Sequence, residues 1–292
     1  MEKVKVGIIG PGNIGLDLLY KIKRSPYLEA DCIVNVRHSK GIEYAQKMGI
    51  ETSTDGIQHI INKGDIKIVF DCTSAAAHLV HAPILKKSGK FAIDLTPAAV
   101  GPYVVPSVNL THEILEGDNV NLVTCAGQAT VPIVAAINNA ADVTYAEVVS
   151  SISSKSAGSG TRKNIDEFTV TTRKALIDVG GADEAKVIII LNPAEPPIYM
   201  RNTIYTRVKN TDINVIRGAI NECIERIKKY VPGYKILLEP IIQDDIVTTM
   251  VQVEGLGDYL PVYSGNLDII NAAAINIAEN YAKKLIGGAA NA

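Results

Sequence analysis

The sequence predicts an α/β protein in which a doubly wound parallel sheet is followed by an α+β domain on a mixed sheet. Three observations lead there. Val4 to Ile9 is an unbroken apolar run, as a central parallel strand requires, and it leads directly into Gly10-Pro11-Gly12-Asn13-Ile14-Gly15. Buried-strand and helix patterns then alternate to about Val123. After residue 140 that rhythm is lost, and strand-like runs follow one another without a helix between each pair.

The first run and the glycine motif form a unit with Leu16 to Ile22, which has helical spacing. A G-x-G-x-x-G with a strand before it and a helix after it is the dinucleotide-binding fingerprint of a Rossmann-type domain. Gly10 makes the turn, Gly12 lets a pyrophosphate approach the backbone, and Gly15 lets the helix pack against the strand. The helix N-terminus then receives the negative charge. Ala30 to Val36 reads as the second strand, and residues 41 to 49 as a short helix. Asp65 to Asp71, Ala75 to Ser88 and Phe91 to Leu95 read as strand, helix and strand. His78 and His81 fall on that helix and read as surface-leaning and structural, without a carboxylate partner.

The second strand of such a domain ordinarily ends on an acid that binds the adenosine ribose. Here the chain reads Val34-Asn35-Val36-Arg37-His38-Ser39, so the acid is absent and Arg37 stands in its neighbourhood. That exchange predicts tolerance of NADP, whose extra phosphate an arginine can meet with paired hydrogen bonds.

Asn119 to Ala136 begins as a short strand, carries Cys125, and has Thr130 and Pro132 placed as the cap and first turn of a helix. Two readings fit Cys125. It is a small buried hydrophobe, or it is an exposed nucleophile whose pKa is lowered by a helix N-terminus. Farther on, Val143 to Ser154 is strand-like and is followed by a small-residue loop, Lys155 to Lys163, with Arg162 within it. Asn164 and Glu167 resemble a capping box for a helix over 165–179, which Gly180-Gly181 stops. Strands are expected near 186–191, 203–208, 235–238 and 246–253, with helices over 213–230 and 267–285.

Composition narrows the function classes. The chain has 292 residues, a formal net charge of −2 and a pI near 6.2, so electrostatics offers nothing to nucleic acid. Its four cysteines and five histidines lack zinc-type spacing, and no metal site is expected. No apolar run approaches the roughly 18 residues a membrane helix needs. Scattered thiols suit a reducing compartment, and the expected location is cytoplasmic.

A dinucleotide fold, a strand-end cysteine and a mixed-sheet domain, in that order, resemble aldehyde dehydrogenases of the glyceraldehyde-phosphate type. Longer blocks resemble the acylating acetaldehyde dehydrogenases more closely. They are DLTPAAVGPYVVPSVNL at 94–110, VTCAGQATVPIVAAI at 123–137, SKSAGSGTRKNIDEFTVTT at 154–172, LNPAEPP at 191–197 and YLPVYSGNLDI at 259–269. With the glycine motif they run in order from residue 4 to about 285, and only 240–249 looks shorter than the family pattern.

The resemblance implies oxidation of acetaldehyde with NAD and coenzyme A to acetyl-CoA, through an acyl-thioester on Cys125. It implies cofactor contacts from Gly10, Pro11, Gly12, Asn13, Ile14 and Gly15, and from the run Ser156, Ala157, Gly158, Ser159, Gly160, Thr161, Arg162, Lys163, Asn164. Asn266 is implied at the nicotinamide end. A homodimer is implied, within a larger assembly with 4-hydroxy-2-oxovalerate aldolase. So are three regions: a dinucleotide-binding domain over 1–124, a catalytic and oligomerisation domain over 125–264, and a last helix over 265–292 that returns to the first. At one catalytic position the family has an aspartate that deprotonates the cysteine. Here that place is Asn202, an amide that cannot accept the proton but can hold a water or orient a substrate. A phosphorylating or semialdehyde dehydrogenase of the same fold, and an inactive dinucleotide-binding scaffold, remain alternative readings.

Overall fold

The structure is a computed structural model that describes residues 2–158, 162 and 165–289. Its chain divides into two compact units.

The first unit contains the residues up to Pro102, Leu110–Leu122, and the chain from Asn271 onward. Its elements are β1 (Val4–Ile9), α1 (Asn13–Arg24), β2 (Leu28–Val34), α2 (Lys40–Lys47), β3 (Glu51–Ser53), α3 (Ile57–Ile61), β4 (Ile68–Asp71), α4 (Ala75–Lys87), β5 (Phe91–Asp94) and β6 (Asn119–Asn121). The strands form a parallel sheet in the order β3-β2-β1-β4-β5-β6, which is the doubly wound arrangement the glycine motif predicts. Ile8, Ile33, Ile68, Phe70 and Ile93 have no exposed surface, as expected of strands covered on both faces. Residues of the last helix from Asn271 on pack within this unit. Asn271 Nδ2 donates to Asp17 Oδ2 (2.8 Å) and to the Ile14 carbonyl (3.2 Å), and Tyr281 stacks on Phe91 with ring centres 4.1 Å apart.

The second unit contains Tyr103–Asn109 and Val123–Ile270. It holds α5 (Pro106–Asn109), α6 (Cys125–Ala141), β7 (Val143–Ser153), α7 (Ile165–Asp178), β8 (Glu184–Asn192), β9 (Met200–Val208), α8 (Ile213–Lys228), β10 (Tyr234–Gln243) and β11 (Ile246–Val253); α9 (Gly265–Ala289) begins here. The described strands pair in the order β10-β11-β9-β7-β8, parallel only between β7 and β8, giving the expected mixed sheet. Helix α6 lies against β9, β7, α7 and α8. Its carbonyl at Ala129 accepts from the hydroxyl of the fully buried Tyr234 at 2.6 Å.

One local expectation needs correction. The helix expected to begin near Thr130 begins at Cys125, because Thr124 caps it by accepting from the Gly127 N–H at 2.9 Å. Pro132 therefore lies inside the helix, at the cost of one intrahelical hydrogen bond. The shortened stretch at 240–249 is a β-hairpin closed by Asp244-Asp245, with Gln243 opposite Ile246 and Asp244 in the left-handed region (φ 56°). Pro240 is tolerated within β10 because that strand is at the sheet edge.

Candidate active site

Within the first unit, the glycine turn has the geometry of a phosphate cradle. Gly10 has φ of 100°, and a Cβ on it would lie 2.8 Å from the Cys72 carbonyl oxygen. A Cβ on Gly15 would meet the Gly10 carbonyl at 2.2 Å, so the start of α1 packs onto the turn in a way only glycine permits. Gly12 faces open space and is the N-cap of α1, with no side-chain cap and no acid in the first turn. The N–H groups of Asn13 and its neighbours thus remain available for a pyrophosphate, and the residues fit a dinucleotide. Pro11 meets the start of α2, where a Cβ on Gly41 would sit 1.9 Å from its carbonyl oxygen. Arg37 is exposed on the segment between β2 and α2.

In the second unit Cys125 is the first residue of α6 and only 8% exposed. The residue ahead of its cap, Val123, has φ of 61°, a strained conformation for a β-branched side chain. A Cβ on Gly127 would lie 2.5 Å from Val123 Cγ1, so this turn needs glycine there as well. Thr124 Oγ1 is 2.6 Å from Thr172 Oγ1, which donates to the Phe168 carbonyl, so a hydroxyl chain ties the start of α6 to α7. The expectation of an exposed, acidified thiol is not met. Burial pushes the Cys125 thiol up to about 12, although the backbone N–H groups of Ala126 and Cys125 act in the opposite direction. Helix-start donors cannot offset the loss of water around a thiolate of this burial.

Asn202 lies on β9, opposite Ser150 of β7, with its side chain on the face that α6 covers. It is fully buried, and neither its amide nitrogen nor its oxygen has a hydrogen-bond partner among the described residues; the same is true of Ser150 Oγ. Sequence reasoning missed Ser150, which becomes visible only through the strand pairing. Asn266, in the first turn of α9, is 1% exposed with an unpaired Oδ1. Ahead of it, Gly265 allows α9 to approach the Val253 carbonyl, which a Cβ would meet at 2.0 Å.

Of the small-residue loop, Ser156 and Ala157 are buried and Gly158 is exposed. Arg162 folds back onto its own loop: Nη2 donates to the carbonyl and hydroxyl of Ser154 at 2.8 Å each, and Nε to the Ala157 carbonyl at 3.2 Å. Its first task is to hold the loop. Ser159, Gly160, Thr161, Lys163 and Asn164, and with them the expected capping box, lie outside the described residues.

The two histidines of α4 are not surface groups without acids. His78 is fully buried, and its Nδ1 meets Asp71 Oδ2 at 2.9 Å; His81 Nδ1 meets the same oxygen at 2.8 Å. On the other side, His78 Nε2 is 2.9 Å from Asn119 Nδ2 and 3.5 Å from Asp94 Oδ2. Burial works against an ionised Asp71, yet hydrogen bonds from His78, His81 and Thr73 hold it far below the usual carboxylate range. Burial pushes Asp94 up to about 6 against the field of His78. Burial lowers His78, but Asp71 and Asp94 outweigh it and its pKa is raised. Both acids end consecutive strands, which was the missed signal. Among the described residues no group of three or more His, Cys, Asp or Glu side chains is placed to hold a metal ion.

Residues 5–116 match the family described as semialdehyde dehydrogenase, NAD binding domain. Residues 125–261 match that described as prokaryotic acetaldehyde dehydrogenase, dimerisation. An acetaldehyde dehydrogenase of Carboxydothermus hydrogenoformans is 61% identical over 286 residues, 98% of this chain and 95% of the relative. Those of Bacillus cereus (52%, covering 98% and 96%) and Desulfitobacterium hafniense (51%, covering 99% of each) are similar over nearly their whole length. Among solved structures, aspartate semialdehyde dehydrogenase II of Vibrio cholerae, complexed with ASA, has the same fold. Its TM-score is 0.64 at 13% identity, covering 95% of this chain and 98% of that one.

Proposed function

The chain belongs to the acetaldehyde dehydrogenase family, and from that premise we propose that it oxidises acetaldehyde to acetyl-CoA through an acyl-thioester on Cys125. It is an NAD-dependent oxidoreductase. The observation that carries the cysteine assignment is the setting of its sulfur. Of the four cysteines, Cys125 alone meets backbone N–H donors at a helix start; charged side chains and burial govern Cys32, Cys72 and Cys223.

In this reading the Cys125 thiol gives its proton to water, and the thiolate adds to the aldehyde carbon, whose oxygen takes up the carbonyl electron pair. The backbone N–H groups at the start of α6 favour the thiolate and the oxyanion that follows. Gly10 to Gly15 and the start of α1 hold the pyrophosphate, Ser156 to Asn164 form a further cofactor segment, and Asn266 Oδ1 is a free acceptor for a carboxamide N–H. When bound, NAD supplies the hydride acceptor that aldehyde oxidation requires. Cys125 then retains the acyl group as a thioester, and the thiol of coenzyme A takes it and frees the cysteine. Asn202 cannot act as a base; its amide holds a water or orients the substrate.

The protein works as a homodimer. Tyr205, Ile241, Ile190 and Ile246 are exposed on the face of the mixed sheet opposite α6, an apolar surface suited to a second copy. Partnership with 4-hydroxy-2-oxovalerate aldolase belongs to the same reading, since handing over a small, reactive aldehyde directly limits its escape.

The deciding experiment follows NADH formation from acetaldehyde with CoA or with phosphate as acceptor, and looks for an acetyl group on Cys125 by mass spectrometry when acceptor is withheld. CoA-dependent turnover with acetyl-Cys125 supports the reading. Phosphate-dependent turnover would make it a phosphorylating enzyme, and cofactor binding without turnover would make it a scaffold.

A further inference from the structure

A dinucleotide fold that selects NAD places an acid after its second strand, where it binds both adenosine ribose hydroxyls and repels a 2′-phosphate. In this chain β2 ends at Val34, and no acid occurs from Cys32 to Ile42. Asn35 is the first residue after β2. Its Nδ2 donates to the Arg37 carbonyl at 2.9 Å, while its own N–H and carbonyl bond Ser53 and Gly56, so it is neutral and committed to the loop.

Beyond Asn35 the loop is cationic. Arg37 and Lys40 are exposed, and among the described residues neither side chain has a hydrogen-bond or ion-pair partner. Ser39 caps α2 by accepting from the Ile42 N–H at 3.3 Å. The contact of Gly41 with the Pro11 carbonyl presses the positive end of α2 onto the phosphate-binding turn. Val36, 78% exposed, offers an apolar surface beside the cations, as the face of an adenine ring would require. The acids facing this loop are Glu43, 3.7 Å from His38 Nδ1, and Asp55, whose N–H is held by Ser53 Oγ. Among the described residues Glu43 forms no ion pair with Arg37 or Lys40.

We propose that Arg37, Ser39 and Lys40 form a subsite for the 2′-phosphate of NADP, so that this enzyme binds both dinucleotides where an acid after β2 would exclude NADP. The inference rests on the dinucleotide-binding reading of the glycine turn. Arginine meets a phosphate with two parallel hydrogen bonds, and the second cation and the helix start add to that field.

The test is calorimetric titration of the full-length protein with 5′-ADP and with 2′,5′-ADP, repeated for Arg37→Ala and for Arg37→Asp. The subsite predicts that 2′,5′-ADP binds about tenfold more tightly than 5′-ADP, the ratio expected of a charge-assisted pair. Arg37→Ala should erase the difference with 5′-ADP affinity unchanged, Arg37→Asp should reverse it, and the kcat/KM ratio of NADP to NAD should fall in step. If 5′-ADP binds but the 2′-phosphate gives no advantage, or the advantage survives in both variants, the subsite is refuted and the cofactor reading stands. If neither nucleotide nor NAD binds, the cofactor reading fails, and the subsite with it.

Discussion

Asn202 and Ser150 stand opposite each other across the β9–β7 pairing, fully buried, and none of their three side-chain polar atoms has a hydrogen-bond partner among the described residues. Each such group costs about 1–3 kcal/mol relative to a partnered one. The structure therefore keeps polar capacity inside the sheet that folding alone does not use. Asn202→Val is predicted to leave stability unchanged or raise it by about 1 kcal/mol while lowering acyl transfer at least tenfold. Urea denaturation and initial rates measure the two quantities. A marked loss of stability would mean that Asn202 is bonded in the folded protein. Asn202→Asp should move the rise of rate with pH to lower pH if the new carboxylate serves Cys125.

The buried thiol has a pH signature. With Cys125 held near 12 by burial, the free enzyme should react slowly with iodoacetamide at pH 7, and the rate should climb about tenfold per pH unit up to pH 9. Aldehyde oxidation should rise over the same range. Cys125→Ser should abolish acyl transfer, with NAD binding retained by calorimetry. Fast labelling of Cys125 at neutral pH in the free protein would show that the thiol is ionised before any ligand arrives.

The His78 network predicts a stability difference that depends on pH. His78 is raised above its ordinary value, so its contribution is complete below the unfolded pKa of about 6.5 and fades as pH rises through the folded value. Asp71, held low, contributes above about pH 4 and is lost in acid; Asp94, raised to about 6, favours the fold below about 4 and loses that effect as pH passes 6. His78→Gln should therefore cost about 2 kcal/mol at pH 6, the worth of one charged hydrogen bond to an Asp71 that His81 and Thr73 still hold, and clearly less at pH 9. Denaturation midpoints of both proteins at the two pH values measure this. An equal cost at both would assign His78 a packing role only.

On the outer face of the mixed sheet, Ile241 is 49% exposed opposite Thr248 of β11. Ile241→Asp should shift the protein from dimer to monomer in analytical ultracentrifugation with little change in the stability of the fold, because the side chain touches little within its own chain. A dimer that persists would place the interface elsewhere.

The sequence alone determined the parts whose information is local. Six residues of glycine motif between an apolar strand and a helix specify the turn at 10–15, because only glycine has the needed φ and lets backbones approach so closely. Strand and helix periodicities specify the parallel sheet and the change to a mixed one, and the blocks around Cys125 specify the family. Tertiary structure decided what depends on distant neighbours. Thr124, rather than Thr130, caps α6, and packing against the sheet and two helices then buries Cys125 and raises its thiol. His78 acquires Asp71 and Asp94 only when β4, β5 and α4 come together, and Asn202 meets Ser150 only through a strand pairing 52 residues apart in sequence. Backbone conformation and amphipathic faces are encoded within a few residues, whereas solvation and hydrogen-bond partners, which set protonation and reactivity, are properties of the assembled core.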